Sequence, residues 1–303
     1  MLKLLFIILL CSSLIGFILF SLAKAQKLVY SLSHPPVKIS PLTEGKTPYT
    51  YKKFDFKTRD GLTLMAIEYM PGVQPCATII LCHYLGGSKE AVFPYAEFLL
   101  KRGFRILSFD FRNHGESDHE LKTKFQLDED IYLFFNRIKE MGIEGPFGVY
   151  GFSMGATPAL AVYERYPEIK AAIIDSGPLL LVKDYFKYVL NNKRIKNPLS
   201  RVYFILAFLY YAGFQRMSRK MTDRLNHLKG KPLLFIHGER DNVIPIKNAL
   251  EAFSMVESKK AYFWSIPNSR HLTNYSLRGI EYEKKVIDFF EKWVVGSCSA
   301  GSK

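Results

Sequence analysis

The first long apolar run predicts a helix that is able to cross a membrane. Residues 4–23 carry no charge, with Lys3 before them and Lys24 after them. About twenty apolar residues match the length of a membrane-spanning helix and exceed the apolar core of an ordinary signal peptide. We therefore expect residues 1–27 to form a single-pass N-terminal membrane anchor. Export with signal cleavage is the alternative, because Ala23-Lys24-Ala25 resembles a cleavage site.

The pattern then changes from a linker to a hairpin. Residues 28–49 include Pro35, Pro36 and Pro41 and have no clear period, which is typical of a stalk between an anchor and a domain. Two partly alternating runs follow, at 51–58 and 62–69, and they flank an Asp-Gly pair. Alternation on both sides of Asp-Gly predicts a β-hairpin.

From residue 77 onward, short apolar runs alternate with helix-like segments. This alternation predicts an α/β fold, with a mostly parallel central sheet and helices on both faces. The domain is expected over residues 50–296, with a tail at 297–303 and a helical cap inserted at about 179–231, where no strand pattern occurs. The predicted strands are Ala77–Cys82, Arg105–Phe109, Phe147–Tyr150, Ala171–Ile174, Leu233–Ile236 and Tyr262–Ile266, and the predicted helices include Glu90–Arg102, Asp128–Met141 and Thr157–Tyr166.

Composition and charge narrow the function classes. With 303 residues and 48% hydrophobic content, the chain can bury the core of one large domain and is not disordered as a whole. Its four cysteines are scattered without zinc-finger spacing, so we expect no disulfide framework, no metal and no cofactor. The net charge of +14 suits nucleic acid or an anionic membrane surface. Because no nucleic-acid motif accompanies the charge, we expect a membrane and no nucleic-acid partner.

The sequence Gly151-Phe152-Ser153-Met154-Gly155 lies between a predicted strand and a predicted helix. In that context GxSxG is typical of a nucleophile elbow, in which the serine hydroxyl stands above the sheet on a sharp turn. The following helix adds a backbone donor and the positive end of its dipole. Helix capping is the plainer role for this serine, but the preceding strand and the second glycine favour a nucleophile.

Three other strand ends carry suggestive residues, because α/β sheets place functional loops at the carboxyl ends of their strands. The glycine-containing loop 83–87 can aim a backbone N–H at an oxyanion. A serine needs a base, histidine titrates near neutrality, and a carboxylate holds the imidazole in the required tautomer. Ser153, Asp241 and His271 each follow a strand and form the candidate triad, in the chain order that this fold uses. Asp175 also ends a strand and stays a rival for the acid.

Together these motifs resemble those of the α/β-hydrolase superfamily, over about 54–293. The resemblance is carried by the segment 56–61, the His83 loop, the segment 110–117, the GFSMG elbow, the Asp241 loop with Val243-Ile244-Pro245, and His271. The most similar group contains esterase-, thioesterase- and peptidase-like hydrolases, some with an N-terminal anchor. The resemblance implies that the backbone N–H groups of Leu85 and Met154 form the oxyanion hole. The chain departs from the family at Tyr84, where glycine is common, and at Pro158, which removes a hydrogen bond from the helix after the nucleophile.

The remaining candidates are expected to be structural. His83, His114 and His237 lie near glycines in loops, where an imidazole hydrogen-bonds backbone groups, and Asp110 is expected to fix its own loop. Asn274-Tyr275-Ser276 is a formal glycosylation sequon, but it lies too near His271 for use.

The predicted cap contains a strongly apolar and aromatic run at 202–211, flanked by basic residues. They are Lys183, Lys187, Lys193, Arg194, Lys196 and Arg201 before the run, and Arg216, Arg219, Lys220 and Arg224 after it. Two interpretations stand. The run is either an ordinary buried cap helix with solvated basic ends, or a lid that touches anionic lipid and admits an acyl chain.

We expect a serine hydrolase that cleaves an ester or thioester of a small-molecule or lipid-like acyl substrate through an acyl-enzyme. A peptidase-like hydrolase is one alternative, although it would need a carboxylate for a substrate amine and the cap is poor in acids. A catalytically idle binding protein is the other, because fold does not imply activity. The intact set of Ser, Asp and His argues against an idle protein. The sequence indicates no oligomeric state.

Overall fold

The computed structural model describes residues 2–36, 49–120, 126–180, 187–190, 197–212 and 214–296. It describes no side chains between residues 207 and 220. Most of the predicted linker and the predicted tail lie outside the described residues. So do Lys183, Lys193, Arg194 and Lys196 of the predicted basic flank.

Eight strands form one sheet in the order β1-β2-β4-β3-β5-β6-β7-β8. The first two are antiparallel to each other, β2 is antiparallel to β4, and the six strands β3 to β8 are parallel. The strands are β1 (Thr50–Lys57), β2 (Thr63–Met70), β3 (Ala77–Cys82), β4 (Phe104–Phe109), β5 (Phe147–Phe152), β6 (Ile169–Asp175), β7 (Leu233–Gly238) and β8 (Ala261–Ile266). The predicted hairpin and the mostly parallel sheet are confirmed. The strands of the parallel part read as continuous apolar runs because both faces of that sheet are buried.

Helices cover both faces of the sheet and enclose two apolar cores. The helices are α1 (Leu2–Ser33), α2 (Glu97–Leu100), α3 (Leu127–Glu140), α4 (Ala156–Arg165), α5 (Pro198–Ala212), α6 (Phe214–His227), α7 (Ile246–Val256), α8 (Asn274–Arg278) and α9 (Ile280–Phe290). Helices α3, α4, α6 and α7 contribute to one core. Helices α2 and α9 contribute to the other.

The segment predicted as one helix at 90–102 is two shorter pieces. A 3₁₀ turn at Phe93–Tyr95 precedes α2. Pro94 explains the break, because proline has no N–H for the helical ladder and disfavours helical geometry in the residue before it.

The N-terminal helix is longer than the predicted segment 1–27. Helix α1 continues to Ser33, so residues 28–33 are helical rather than linker, and the helix ends just before Pro35-Pro36. Within the described residues, one helix is long and apolar enough to cross a membrane, over Lys3–Lys24, and an export signal passes the same test. Helix α1 packs along α5 of the cap.

The described part of the predicted cap is helical, with a turn of helix at 187–190 followed by α5 and α6. The interpretation with solvated basic ends is wrong for one residue. Arg224, expected at a solvated basic end, is 5% exposed and pairs with Asp128 at 2.9 Å and Glu164 at 3.0 Å. Because those acids lie on α3 and α4, the C-terminal half of α6 is fastened to the body of the domain.

Candidate active site

The turn that carries Ser153 depends on the glycines two positions before it and two positions after it. Ser153 follows β5 with φ of +50°, a conformation that costs a non-glycine residue free energy. A Cβ on Gly155 would lie 2.1 Å from the carbonyl oxygen of Cys82, and a Cβ on Gly151 would lie 2.6 Å from the carbonyl oxygen of Gly155. No side chain fits at either position, because β3 lies against Gly155 and the start of α4 lies against Gly151.

The structure brings Ser153, His271 and Asp241 together. Ser153 Oγ lies 2.8 Å from His271 Nε2, and His271 Nδ1 lies 2.7 Å from Asp241 Oδ2. The Asp241 carboxylate can only accept, so Nδ1 carries the imidazole hydrogen and Nε2 is free to accept from the serine hydroxyl. This arrangement can remove a proton from Ser153 and stabilise the imidazolium that forms.

Asp241 is held by its own loop after β7. Its Oδ1 accepts the backbone N–H groups of Val243 and Ile244, both at 2.9 Å, and its side chain is fully buried. His237 donates through Nε2 to the carbonyl of Ile244 at 2.8 Å, and burial lowers its pKa below the ordinary range, so it stays neutral. The predicted structural role of His237 is confirmed, since its one hydrogen bond shapes the loop that aims Asp241.

The loop after β3 forms a tight turn beside the elbow. The N–H of Gly87 donates to the carbonyl of Tyr84 at 2.9 Å, and Gly86 has φ of +74°, which glycine adopts freely. Leu85 therefore lies at the tip of the turn. Since β3 and β5 are neighbours, the turn and the Met154 backbone share one edge of the sheet. The ring of Tyr84 packs against Gly87, so the turn accommodates a tyrosine at this position.

His83 fixes the base of that turn. Its Nδ1 donates to the carbonyl of Tyr84 at 2.8 Å, and its Nε2 accepts the N–H of Phe111 at 3.0 Å. Burial lowers the pKa of His83 to about 4, and burial together with His83 lowers the pKa of His114 to about 3. Both rings are therefore neutral near pH 7. Their predicted bonds to backbone groups are confirmed, since His114 Nδ1 likewise donates to the carbonyl of Arg112 at 2.9 Å.

Asp110 fixes its own loop, as predicted, and it does so around a buried lysine. It accepts the N–H of Lys89 at 2.6 Å and the N–H of Glu116 at 2.9 Å. Lys89 Nζ, with its side chain fully buried, lies 2.7 Å from Asp110 Oδ2 and 2.7 Å from Glu116 Oε2. Sequence reasoning missed Lys89, because a lysine in a polar loop gives no sign of burial.

Asp175, the rival acid, makes a different network. It accepts from Ser176 Oγ at 2.7 Å, Asn274 Nδ2 at 2.7 Å and the Tyr282 hydroxyl at 2.5 Å, and Tyr282 also contacts the Tyr150 hydroxyl. Burial raises the pKa of Asp175 above its ordinary value. The imidazole of His271 is bonded to Asp241 and not to Asp175, but the network borders the His271 loop. The one sequence signal for this network was the position of Asp175-Ser176 at the end of a strand.

Two smaller expectations are also settled by position. Pro158 lies in the first turn of α4, where backbone N–H groups have no helical partner, so α4 continues unbroken to Arg165. Asn274 of the sequon is fully buried and bonded to Asp175, so it is not an accessible acceptor. Across the described part of the chain, no group of three or more His, Cys, Asp or Glu side chains is arranged to hold a metal.

Sequence models of two families match this chain. The model of the α/β hydrolase fold matches residues 77–192, and the model of the prolyl oligopeptidase family matches residues 144–297, which is half of the chain and includes Ser153, Asp241 and His271. The chain therefore belongs to the α/β-hydrolase superfamily and, over that half, to the prolyl oligopeptidase family. By class it is a hydrolase.

Individual relatives are distant but cover most of the chain. The protein YfhR of Escherichia coli (strain K12) is 26% identical over 254 residues, which are 81% of this chain and 82% of that protein. The protein bem46 of Schizosaccharomyces pombe is 23% identical over 249 residues, 79% and 76% of the two chains. The structure of the Pyrococcus furiosus esterase Pf2001 superposes with a TM-score of 0.71 at 23% identity, over 86% of this chain and 97% of that chain. At that identity the structural likeness shows the fold.

Proposed function

We propose that the chain is a serine hydrolase that transfers an acyl group from an ester or thioester to water. The observation that supports this function is the pair of hydrogen bonds that joins Ser153 to His271 at 2.8 Å and His271 to Asp241 at 2.7 Å. Ser153 is the proposed nucleophile, His271 the general base and then acid, and Asp241 the group that orients His271.

The proposed reaction has two halves. His271 Nε2 takes the proton from Ser153 Oγ as Oγ bonds to the carbonyl carbon, and the backbone N–H groups of Leu85 and Met154 stabilise the oxyanion. Collapse breaks the bond to the leaving alcohol or thiol, which takes the proton from His271. Water then adds to the acyl-enzyme, His271 accepts its proton and returns it to Ser153, and the carboxylic acid leaves.

A peptidase activity is the second candidate, and the match of residues 144–297 to the prolyl oligopeptidase family is what favours it. We rank ester hydrolysis above peptide hydrolysis. A peptide substrate's amine needs an acidic partner near the site, and the cap sequence is poor in acids. Hydrolysis of a panel of esters, thioesters and short peptides by one preparation ranks the three classes directly. Peptide kcat/KM above ester kcat/KM would reverse our order.

We propose further that residues 3–24 anchor the domain, spanning the membrane once, and that residues 50–296 form the hydrolase domain. The exposed, uncharged surface of α1 between Lys3 and Lys24 supports this proposal. Washing membranes with alkaline carbonate tests it, because an integral protein stays in the pellet. Release of the intact chain into the wash would contradict it.

Labelling by a fluorophosphonate probe tests the nucleophile. The wild type and Ser254→Ala, an exposed serine on α7, are expected to label equally, and Ser153→Ala is expected not to label. Labelling of a folded Ser153→Ala variant would place the nucleophile elsewhere. A folded wild type that neither labels nor hydrolyses the panel would favour the idle binding protein.

A further inference from the structure

The cap helix α5 exposes an apolar stripe. Leu199, Val202 and Leu206 are 38%, 51% and 57% exposed. Their spacing of three and four residues puts them on one face of the helix. Phe204, two positions from both Val202 and Leu206, is fully buried against the protein. Helix α5 is therefore apolar on its buried side and again on its exposed side. An exposed apolar stripe of this kind is typical of a helix that contacts a second apolar phase or surface.

The same helix adjoins the candidate membrane span. Helix α1 packs along α5, and the segment Lys3–Lys24 of α1 is almost entirely exposed. Burial on α1 begins before that segment ends, because Ser21 is only 2% exposed while Phe20 and Leu22 are exposed. At about 1.5 Å of rise per residue, Ser21 lies roughly 5 Å inside the end of the span at Lys24. The domain therefore meets α1 at the depth of the membrane–water interface.

The C-terminal end of α1 lies on the catalytic side of the domain. The Cβ of Pro35 is 3.6 Å from the Cβ position of Gly86 in the turn that carries Leu85. His34 Nε2 lies 2.5 Å from the carbonyl oxygen of Glu120. Because of these contacts, the carboxyl ends of the parallel strands, where Ser153 lies, face the anchor. The amino ends of the same strands face away from it.

The charges around this surface suit an anionic leaflet. Lys24, Lys27 and Arg201 are exposed, and neither α1 nor α5 contains an acidic residue. Basic side chains beside an apolar surface bind anionic headgroups while the apolar part enters the acyl region.

We infer that the exposed stripe of α5 lies in the same membrane leaflet as the end of the anchor, and that the candidate site takes its substrate from that leaflet. The substrate class is then a long-chain acyl ester dissolved in a bilayer that contains anionic lipid. This inference rests on the proposed function for its chemistry, and on the position of α5 beside α1 for its geometry.

Fluorescence tests the position of α5 without using activity. The full chain carrying Val202→Trp is placed in phosphatidylcholine–phosphatidylglycerol vesicles whose acyl chains are brominated, and the wild type gives the background of Trp264 and Trp293. The matched control is Val73→Trp, because Val73 is 65% exposed and lies before β3, at the edge of the sheet opposite the site. We expect quenching of the added signal by at least a third at 202 and none at 73. Equal quenching at both positions, or none at 202, would overturn the inference.

Activity tests the source of the substrate. The two readouts are hydrolysis of a long-chain ester dissolved in the vesicles and hydrolysis of a short soluble ester. We expect Val202→Asp with Leu206→Asp to lower the ratio of the first rate to the second at least tenfold, and Val73→Asp to leave that ratio unchanged. An unchanged ratio in the α5 variant would overturn the inference. Wild-type-like rates in Ser153→Ala would instead overturn the proposed function, while the quenching result would still report on α5.

Discussion

The backbone N–H of Leu272 donates to the hydroxyl of Ser176 at 3.1 Å. Leu272 directly follows His271, so this bond ties the proposed base to the end of β6. Both residues have positive φ, 58° for Leu272 and 56° for Ser176. Such conformations cost non-glycine residues about 1–2 kcal/mol each and persist only where the surroundings hold them. Here the surroundings are the Asp175 carboxylate and its partners.

We predict that Asp175→Asn lowers kcat for a soluble ester about tenfold with little change in KM. The amide cannot accept from Ser176, Asn274 and Tyr282 as the carboxylate does, so the His271 loop loses its fixed position. Loss of this buried network should also lower the free energy of unfolding by about 2 kcal/mol. Steady-state kinetics and urea denaturation measure the two effects. Asp288→Asn, at an exposed aspartate of α9, is the control. A lowered stability with unchanged kcat would make the network structural only.

Asp241→Asn is predicted to lower kcat by about 10³–10⁴ with KM nearly unchanged. The carboxylate accepts from His271 Nδ1, whereas an amide nitrogen facing Nδ1 would favour the wrong tautomer. The rate of fluorophosphonate labelling should fall with kcat, because both need the activated serine. A larger loss of kcat in Asp175→Asn than in Asp241→Asn would reverse the assignment of the acid.

Stability is predicted to fall as pH falls below about 6.5. His83 and His114 stay neutral in the folded state, with pKa values of about 4 and about 3, whereas in the unfolded chain they bind protons at the ordinary pKa near 6.5. Their neutral burial therefore stabilises the fold fully above pH 6.5, and that contribution is lost as pH falls toward 4. For His83 the loss is about 3 kcal/mol.

Urea denaturation at several pH values between 7 and 4 measures this loss. His83→Gln should be less stable at pH 7 and should show a shallower pH dependence, while His119→Gln, at an exposed position, should follow the wild type. Parallel curves for His83→Gln and the wild type would show that the titration of His83 does not control acid stability.

Gly155→Ala is predicted to destabilise the fold by about 3 kcal/mol or to abolish labelling of Ser153. The added methyl would meet the Cys82 carbonyl at 2.1 Å, and a backbone atom cannot move aside as a flexible side chain can. Gly72→Ala is the control, because no atom lies within 4 Å of the added Cβ there. Thermal unfolding and probe labelling check both variants. A Gly155→Ala variant with wild-type stability and labelling would contradict the geometry of the elbow.

The sheet and the grouping of Ser153, Asp241 and His271 were predictable for one physical reason. Buried parallel strands are continuous apolar runs, and the residues that follow them meet at one edge. Local chemistry at such an edge can be read from the residues themselves. The catalytic roles assigned to these three residues stay predictions.

Features that depend on distant partners were not predictable in the same way. Arg224 looks like a solvated end of a basic flank, and its burial depends on acids that lie on α3 and α4, at least 60 residues earlier. Tyr150 and Tyr282 look like ordinary core residues of a strand and a helix. Their link depends on distant partners, because the Tyr150 hydroxyl bonds the Tyr282 hydroxyl, which in turn donates to the carboxylate of Asp175 on a third element. The end of α1 could have been placed better, since the proline pair after Ser33 was visible.

The contact between Ser153 and His271 joins residues that are 118 positions apart in the chain. Three parallel strand pairings, from β5 to β8, separate the two residues, so these pairings must form before His271 can reach Ser153. The elbow itself packs against β3 and α4, and none of its close contacts involves β8. A chain in which β8 has not yet joined the sheet therefore holds Ser153 on its turn without the imidazole of His271, and under the proposed mechanism such a chain is inactive.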